Sequence, residues 1–349
     1  MAFFGVTQEE IGSVAPIEGA DRIEVATLRG KDFQFVIARG SFAPGDGCLY
    51  FPIDSVLPAP LAERLGVAGK LAGRDRNRVK TVKLRGQISQ GIVASTSLVP
   101  PDMLALSPSE LTAQLGVTKY DPPEIVCNDA TLVELPDGIS VYDIEGADRY
   151  TAQAALLHED DVLITEKVEG SNFSVLARSD GTLMVNQRTK SIVPREGVEH
   201  TFWKIAREHR VIEFARSLAE KYAGQSVVVY GEAIGPGIQG NLYRLKGHEV
   251  RFFDIRVGAG WLSPRAFLDE IASFYGATDD RVAPVLHHGK LADWLGGRSI
   301  KEASNGRSRL ADVAREGVVI RPATERHLPE FGRLVLKQRS PDYLAKSDT

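Results

Sequence analysis

Thr165-Glu166-Lys167-Val168-Glu169-Gly170-Ser171-Asn172 is the stretch on which the reading of this 349-residue chain turns. It closes an apolar run, Asp161 to Val168, that reads as a strand, and Gly170 then lets the backbone turn tightly. A lysine at such a strand end is held in place and partly desolvated. Desolvation and neighbouring cations both favour the neutral amine that a nucleophile needs. Lys-x-x-Gly alone is a weak signal, because a solvent-facing lysine before a turn is the commoner source of that pattern.

Outward from this stretch, the downstream pattern is mixed. Asn172 to Arg178, Met184 to Arg188, Ser226 to Glu232, Glu249 to Val257, Gly317 to Arg321 and Arg333 to Gln338 read as strands. Glu199 to Tyr222 reads as one amphipathic helix, with Phe202, Ile205, Ala206, Phe214, Ala215 and Leu218 at helical spacing. Ser263-Pro264 predicts a helix start and Gly276 its stop. Strands and helices without regular alternation predict an α+β fold with mostly antiparallel sheets.

Upstream, Ile23 to Leu28, Phe33 to Ala38, Cys48 to Ile53, Val79 to Leu84 and Gly91 to Ser95 are short apolar or alternating runs punctuated by glycine. Such runs fit a small antiparallel barrel of the OB-fold kind. Between them and the mixed region, Pro100-Pro101, Pro122-Pro123 and Pro136-Asp137-Gly138 mark a turn-rich connection. The expected organisation is a barrel over residues 1–100, a linker over 101–150 and a larger domain over 151–349.

Composition narrows the function class. No apolar run approaches the roughly 18 residues of a membrane helix, and the first residues show no secretion signal, so no membrane partner is expected. Cys48 and Cys127 make neither a disulfide framework nor a zinc site, and a reducing, cytoplasmic setting is the default expectation. The net charge of −4 argues against whole-surface attraction to nucleic acid and leaves room for a local basic patch. Lys70, Arg74, Arg76, Arg78, Lys80, Lys83 and Arg85 form one, with Asp75 as the single acid among them. It reads either as a solvated loop or as a phosphate-tracking patch, with Arg74, Arg76, Arg78, Lys80 and Lys83 as the nucleic-acid contacts.

Further segments resemble, in order, the motifs of the covalent nucleotidyltransferases, the superfamily of polynucleotide ligases and capping enzymes. Lys167 to Gly170 resembles motif I, Asn186-Gln187-Arg188 motif Ia and Tyr230-Gly231-Glu232 motif III. Phe252-Phe253-Asp254-Ile255 resembles motif IIIa, Glu316 to Ile320 motif IV and Leu336-Lys337-Gln338-Arg339 motif V. Thr165 to Phe173 is most similar to the Rnl2-like branch. At the front, Tyr50 to Ser55 and Val82 to Gly91 resemble the OB domain of the Deinococcus-type RNA ligases.

This resemblance implies an OB-fold barrel followed by an ATP-grasp-like nucleotidyltransferase domain of antiparallel sheets flanked by helices. The implied activity is ATP-dependent sealing of an RNA 3′-hydroxyl to a 5′-phosphate, through lysyl-AMP and an AMP-capped end, on a nicked duplex or bridged RNA for RNA repair. Lys167 is then the nucleophile, and Thr165 and Glu166 belong to the nucleotide site. Arg188, Lys337 and Arg321 face phosphates, while Glu316 contacts Mg2+ or Mn2+. Phe253 stacks on adenine, Glu232 accepts from the ribose, and Asn172 holds ribose or the RNA end. Motif V often ends in Lys-x-Lys, and Arg339 departs from that. Two other readings stand beside this one. Another polynucleotide ligase or capping enzyme would place an OB domain after motif V, where only residues 340–349 follow Arg339. A non-catalytic RNA-binding protein on a transferase core would form no covalent AMP adduct. The oligomeric state and the bridging strand stay open.

Overall fold

The computed structural model describes residues 3–120, 130–136, 139, 141–222 and 224–345. Cys127, Pro122-Pro123 and Asp137-Gly138 lie outside them. The chain divides into two compact units, one of Met1–Glu124, Ala147–Ala152 and Leu344–Thr349, the other of Ile125–Gly146 and Gln153–Tyr343.

The first unit is built on β1 (Thr7–Pro16), β2 (Ile23–Leu28), β3 (Gln34–Ala38), β4 (Gly47–Phe51), β5 (Thr81–Leu84), β6 (Gln87–Gln90) and β7 (Ile92–Ser95). The main sheet runs β3-β2-β1-β4-β7, all antiparallel, and β5 and β6 form a separate hairpin. Arg85 and Gly86 both take positive φ at its tip, the geometry a two-residue turn needs. Side chains join β6 to β3: Gln34 donates to Gln87 Oε1 at 3.0 Å and to the Ile88 carbonyl at 3.1 Å, and the Val36 amide donates to Ser89 Oγ at 2.9 Å. This is the OB-fold barrel.

β1 is among the strands that periodicity misses. Its sequence, Thr-Gln-Glu-Glu-Ile-Gly-Ser-Val-Ala-Pro, buries only Ile11 fully, and a register shift between Ile11 and Ser13 breaks the alternation. The unit also extends past residue 100. Helix α1 (Pro108–Gln114) is capped reciprocally by Ser107 and Glu110, and Leu111, Leu115 and Val117 join Leu49, Phe51 and Leu57 in one apolar cluster. A segment with its own cap and core residues is not a free linker.

The second unit holds two sheets. One contains β8 (Ala130–Glu134), β11 (Ser171–Ala177), β12 (Leu183–Gln187), β13 (Lys190–Pro194), β14 (Val227–Ile234), β15 (Glu249–Val257) and β16 (Gly260–Trp261), in the order β8-β13-β12-β11-β14-β15-β16. The other contains β9 (Glu145–Gly146), β10 (Asp161–Lys167), β17 (Val285–Lys290), β18 (Gly317–Pro322) and β19 (Leu336–Arg339), in the order β9-β19-β18-β10-β17. Of these pairings only β9–β19 is parallel. Helices cover one face of the larger sheet, where Phe173, Val175, Val229 and Phe252 pack with Ile205, Phe214, Leu218 and Phe267.

The expected single helix over Glu199–Tyr222 is two, α2 (Thr201–Glu208) and α3 (Val211–Lys221). Arg210 sits between them at φ 57°, a left-handed conformation that breaks the helical hydrogen bonding while both apolar faces stay on the sheet. Helix α4 (Pro264–Tyr275) begins and ends as read: Ser263 Oγ accepts from the Ala266 amide, and Gly276 follows the last turn.

A buried ionic knot ties β15 to β18. Asp254, fully buried, pairs with Arg333 at 2.5 Å and Arg321 at 3.1 Å, and accepts from the Tyr142 hydroxyl at 2.8 Å. Arg321 also donates to the carbonyls of Phe253 and Leu262. Arg321, expected among the phosphate cations, is thus a structural residue, 2% exposed and spent on protein oxygens. Asp254→Ala would leave Arg321 and Arg333 with Glu325 as their remaining shared anion and a buried charge uncompensated, and is expected to cost about 3 kcal/mol. Urea unfolding measures this; a loss under about 1 kcal/mol would mean that the knot is dispensable.

Candidate active site

The register of three neighbouring strands builds one face of the site. Lys167 on β10 pairs with Gly317 on β18, which pairs with Arg339 on β19. Two residues away, Thr165, Val319 and Lys337 form a second row. Side chains two apart on a strand share a face, so Thr165, Lys167, Lys337 and Arg339 come together. Glu166 falls in the alternate row with Val318 and Gln338. It is 1% exposed, and its Oε2 accepts from the Arg309 amide at 2.9 Å. Its side chain therefore points away from Lys167.

Glycines at the strand ends let this face close. A Cβ on Gly317 would lie 2.1 Å from the Gln338 carbonyl oxygen, and one on Gly170 would lie 2.4 Å from that of Ala233. Glu316, just before Gly317, pairs with the Lys167 amine at 2.7 Å. The Glu169 amide donates to the Tyr243 hydroxyl, and its carboxylate accepts from Tyr343, both at 2.8 Å, so the turn after Lys167 is held from two sides.

The larger sheet supplies the opposing groups. Glu232 on β14 pairs with Asn172 on β11, in the row next to the core row of Phe173, Gly231 and Phe252. Asn172 and Glu232 thus face away from the helices. The register of β14 and β15 shifts between Tyr230 and Gly231, leaving Phe253 as the extra residue. Phe252 is buried among the helices, whereas Phe253 lies with Tyr142, Tyr230 and Trp261 on the opposite side. Of the two phenylalanines, Phe253 is the one on the face of Glu232.

Asp143 was not singled out by sequence. Its carboxylate meets Arg188 at 2.9 Å and Lys337 at 3.4 Å. It lies in the stretch read as linker, and no spacing signal marks it. Burial lowers the Lys337 ammonium; Asp143 opposes this, and Lys167 and Arg339 reinforce it. Burial pushes the Glu232 carboxyl up to about 8, against the pull of Lys167 and Arg188 and with the help of Glu316. Lys167, Arg188, Glu232 and Glu316 therefore share one electrostatic neighbourhood.

The donor set fits a nucleoside triphosphate: adjacent cations for phosphates, carboxylates, and an aromatic side chain nearby. Among the described residues no three His, Cys, Asp or Glu side chains cluster to hold a metal. A divalent ion here would depend on Glu316, water and phosphate oxygens, the ligand set Mg2+ or Mn2+ takes in nucleotide sites.

The basic run of the OB unit is less uniform than its sequence. Arg78 pairs with Asp54 at 2.6 Å and lies 3.6 Å above the Tyr120 ring. It is a clamp within that unit, so it is withdrawn from the expected nucleic-acid contacts. Arg74, Arg76, Lys80 and Lys83 are exposed.

Residues 160–339 match the RNA ligase family, and residues 5–96 match an OB-fold domain family. The chain is similar to the solved structure of Naegleria gruberi RNA ligase with PPi, at 28% identity and a TM-score of 0.79 over 98% of each chain. It is also similar to a lysine-to-alanine mutant of that ligase with ATP and Mn, at 28% identity and a TM-score of 0.78, covering 98% of this chain and 99% of that one. A glutamate-to-alanine mutant with AMP and Mn gives 27% identity and a TM-score of 0.78 over 98% of each. A comparison with curated proteins found no match.

The Glu232 shift sets a pH dependence. Its ordinary value is 4.5, and the folded value near 8 means that the native state binds this proton more tightly than the unfolded one. Its contribution is complete below 4.5 and is lost as pH rises through 8. Urea unfolding of the ligand-free protein between about pH 5 and 9 should show stability falling with pH, and Glu232→Gln should flatten the fall. An equal slope in both proteins would assign it to another group.

Proposed function

The chain belongs to the RNA ligase family, and from that premise we propose that it seals RNA ends in three steps at the face built around Lys167. In the first, the Lys167 amine attacks the α-phosphorus of ATP, forming a phosphoramidate to AMP and releasing pyrophosphate. In the second, AMP passes to the RNA 5′-phosphate and frees the lysine. In the third, the 3′-hydroxyl attacks that phosphate, and AMP leaves. The observation that carries this reading is the row of Lys167, Gly317 and Arg339 with Glu316 at 2.7 Å from the amine.

Each residue's part follows from its place. Glu316 fixes the amine and is its nearest proton acceptor. Lys337 and Arg188 meet phosphoryl oxygens as fixed cations, with Arg339 beside them. Glu232 and Asn172 accept from and donate to the ribose, and Phe253 offers a flat surface to adenine. A divalent metal would be held through Glu316 and water, and would supply charge neutralisation of the triphosphate. Thr165 shares the Lys167 face, whereas Glu166 contributes from behind the strand by holding the loop at Arg309.

We further assign the chain to the Deinococcus-type branch, supported by the OB domain preceding the transferase, and to nick sealing in RNA repair in the cytoplasm. The free, buried Cys48 is compatible with a reducing compartment, and no described helix is long and apolar enough to cross a membrane. Arg74, Arg76, Lys80 and Lys83 track the duplex backbone.

Mass spectrometry of the protein mixed with ATP and Mg2+ or Mn2+ should show a covalent AMP adduct. Lys167→Ala is expected to abolish it, and Glu316→Ala to reduce it by on the order of 100-fold or more. An adduct on the Lys167→Ala protein would overturn the assignment, and no adduct on wild type under either metal would favour the non-catalytic RNA-binding reading. Neutralising Arg74, Arg76, Lys80 and Lys83 while keeping Arg78 should leave adduct formation unchanged. Nick binding should weaken, more at low salt than at high salt, because counterion release drives phosphate contacts. Equal loss of both activities would make these residues structural.

A further inference from the structure

Two cations assigned to phosphates are already bridged by an anion of the protein. Asp143 Oδ2 lies 2.9 Å from Arg188 Nη2, and Asp143 Oδ1 lies 3.4 Å from Lys337 Nζ. One carboxylate oxygen thus meets each cation. A phosphoryl group presents two oxygens in a similar fork, and guanidinium groups bind carboxylates and phosphates in the same way. Resting on the reading of Arg188 and Lys337 as phosphate cations, we infer that Asp143 is a built-in stand-in for a phosphoryl group: it occupies these cations in the ligand-free enzyme and competes with pyrophosphate for them.

The placement supports competition rather than co-binding. Arg188 follows β12 in one sheet and Lys337 lies on β19 in the other, so the pair spans the two sheets that form the site. Asp143 comes from neither strand. It sits just before β9, the short strand whose Gly146 pairs with Lys337. It also lies outside residues 160–339, which match the RNA ligase family. The Asp143 side chain is 22% exposed, so it has a solvated side toward which to move when a more highly charged anion arrives. Pyrophosphate must leave after the first step. A carboxylate poised to retake Arg188 and Lys337 favours that release. With Asp143 in place, the cations also keep a counter-charge while the site is empty.

The test is calorimetric titration of the full-length protein with inorganic pyrophosphate, without ATP. Asp143→Asn keeps the shape and removes the charge. It should tighten pyrophosphate binding on the order of tenfold, between the worth of an exposed ion pair and that of a charged hydrogen bond. It should also make pyrophosphate a stronger inhibitor of adduct formation. A residue that merely orients Arg188 and Lys337 would give the opposite sign. Asp143→Ser, smaller and uncharged, must tighten binding as well, and urea unfolding of both variants checks that they are folded. Arg188→Ala in the wild-type background should weaken pyrophosphate binding. If wild type binds no pyrophosphate, or Arg188→Ala leaves binding unchanged, the phosphate-cation reading itself fails. If that control behaves but the Asp143 variants bind pyrophosphate equally or more weakly, the stand-in inference alone is overturned.

Discussion

The register that sets Lys167 opposite Gly317 is the constraint on which the rest of the site depends. Because side chains alternate along a strand, this pairing places Thr165 and Lys167 on one face with Lys337 and Arg339, and puts Glu166 on the other. A slip of one residue would exchange the two sets and leave the amine among buried side chains. Gly317 makes the pairing possible, since any Cβ there would meet the Gln338 carbonyl oxygen. The same register carries Glu316 to the Lys167 amine, so this pair is positioned by backbone hydrogen bonds rather than by flexible loops.

Around that face, charge alternates in sign. Lys167 meets Glu316, and Arg188 and Lys337 meet Asp143. Glu232 stands near Lys167, Arg188 and Glu316 and holds its proton to about 8. At neutral pH it is therefore mostly uncharged in the ligand-free protein, which keeps the neighbourhood more positive than the residue types suggest. For a site that must admit a polyanionic nucleotide, a protonated carboxyl is a useful state: it removes one repulsive charge and adds a hydrogen-bond donor.

Much of this was legible in the sequence, and the limits are physical. Ser263, Pro264 and Gly276 bound α4 because capping is local chemistry. The segments around Lys167, Glu232, Glu316 and Lys337 were legible because each sets a charged residue in or beside an apolar strand, and that around Phe253 because it sets aromatics and an acid inside one. The strand β1 was not, since its ten residues bury one side chain fully. The break at Arg210 was hidden because helical spacing continues on both sides of it. Asp143 was invisible for another reason: its partners are 45 and 194 residues away, and no local pattern encodes that distance.

The cations show where sequence reading stops and packing begins. Arg78, Arg321 and Lys337 all sit in segments that read as charged or strand-like. Arg78 is held by Asp54 and Tyr120 within the OB unit, and Arg321 by fully buried Asp254. Lys337 also has an acidic partner, yet the two cases differ in what moving that partner would cost. Asp254 has no exposed surface, so separating it from Arg321 would strand a charge in the interior. Asp143 is partly solvated, so it can yield Lys337 and Arg188 to another anion at far smaller cost. Between these two, the cation paired with a fully buried acid is scaffold, and the one paired with a partly solvated acid is open to exchange; Arg78, whose partner Asp54 is more exposed, is held by stacking on Tyr120 as well. Solvent access of the partner, which only the fold determines, is what separates Arg321 from Lys337.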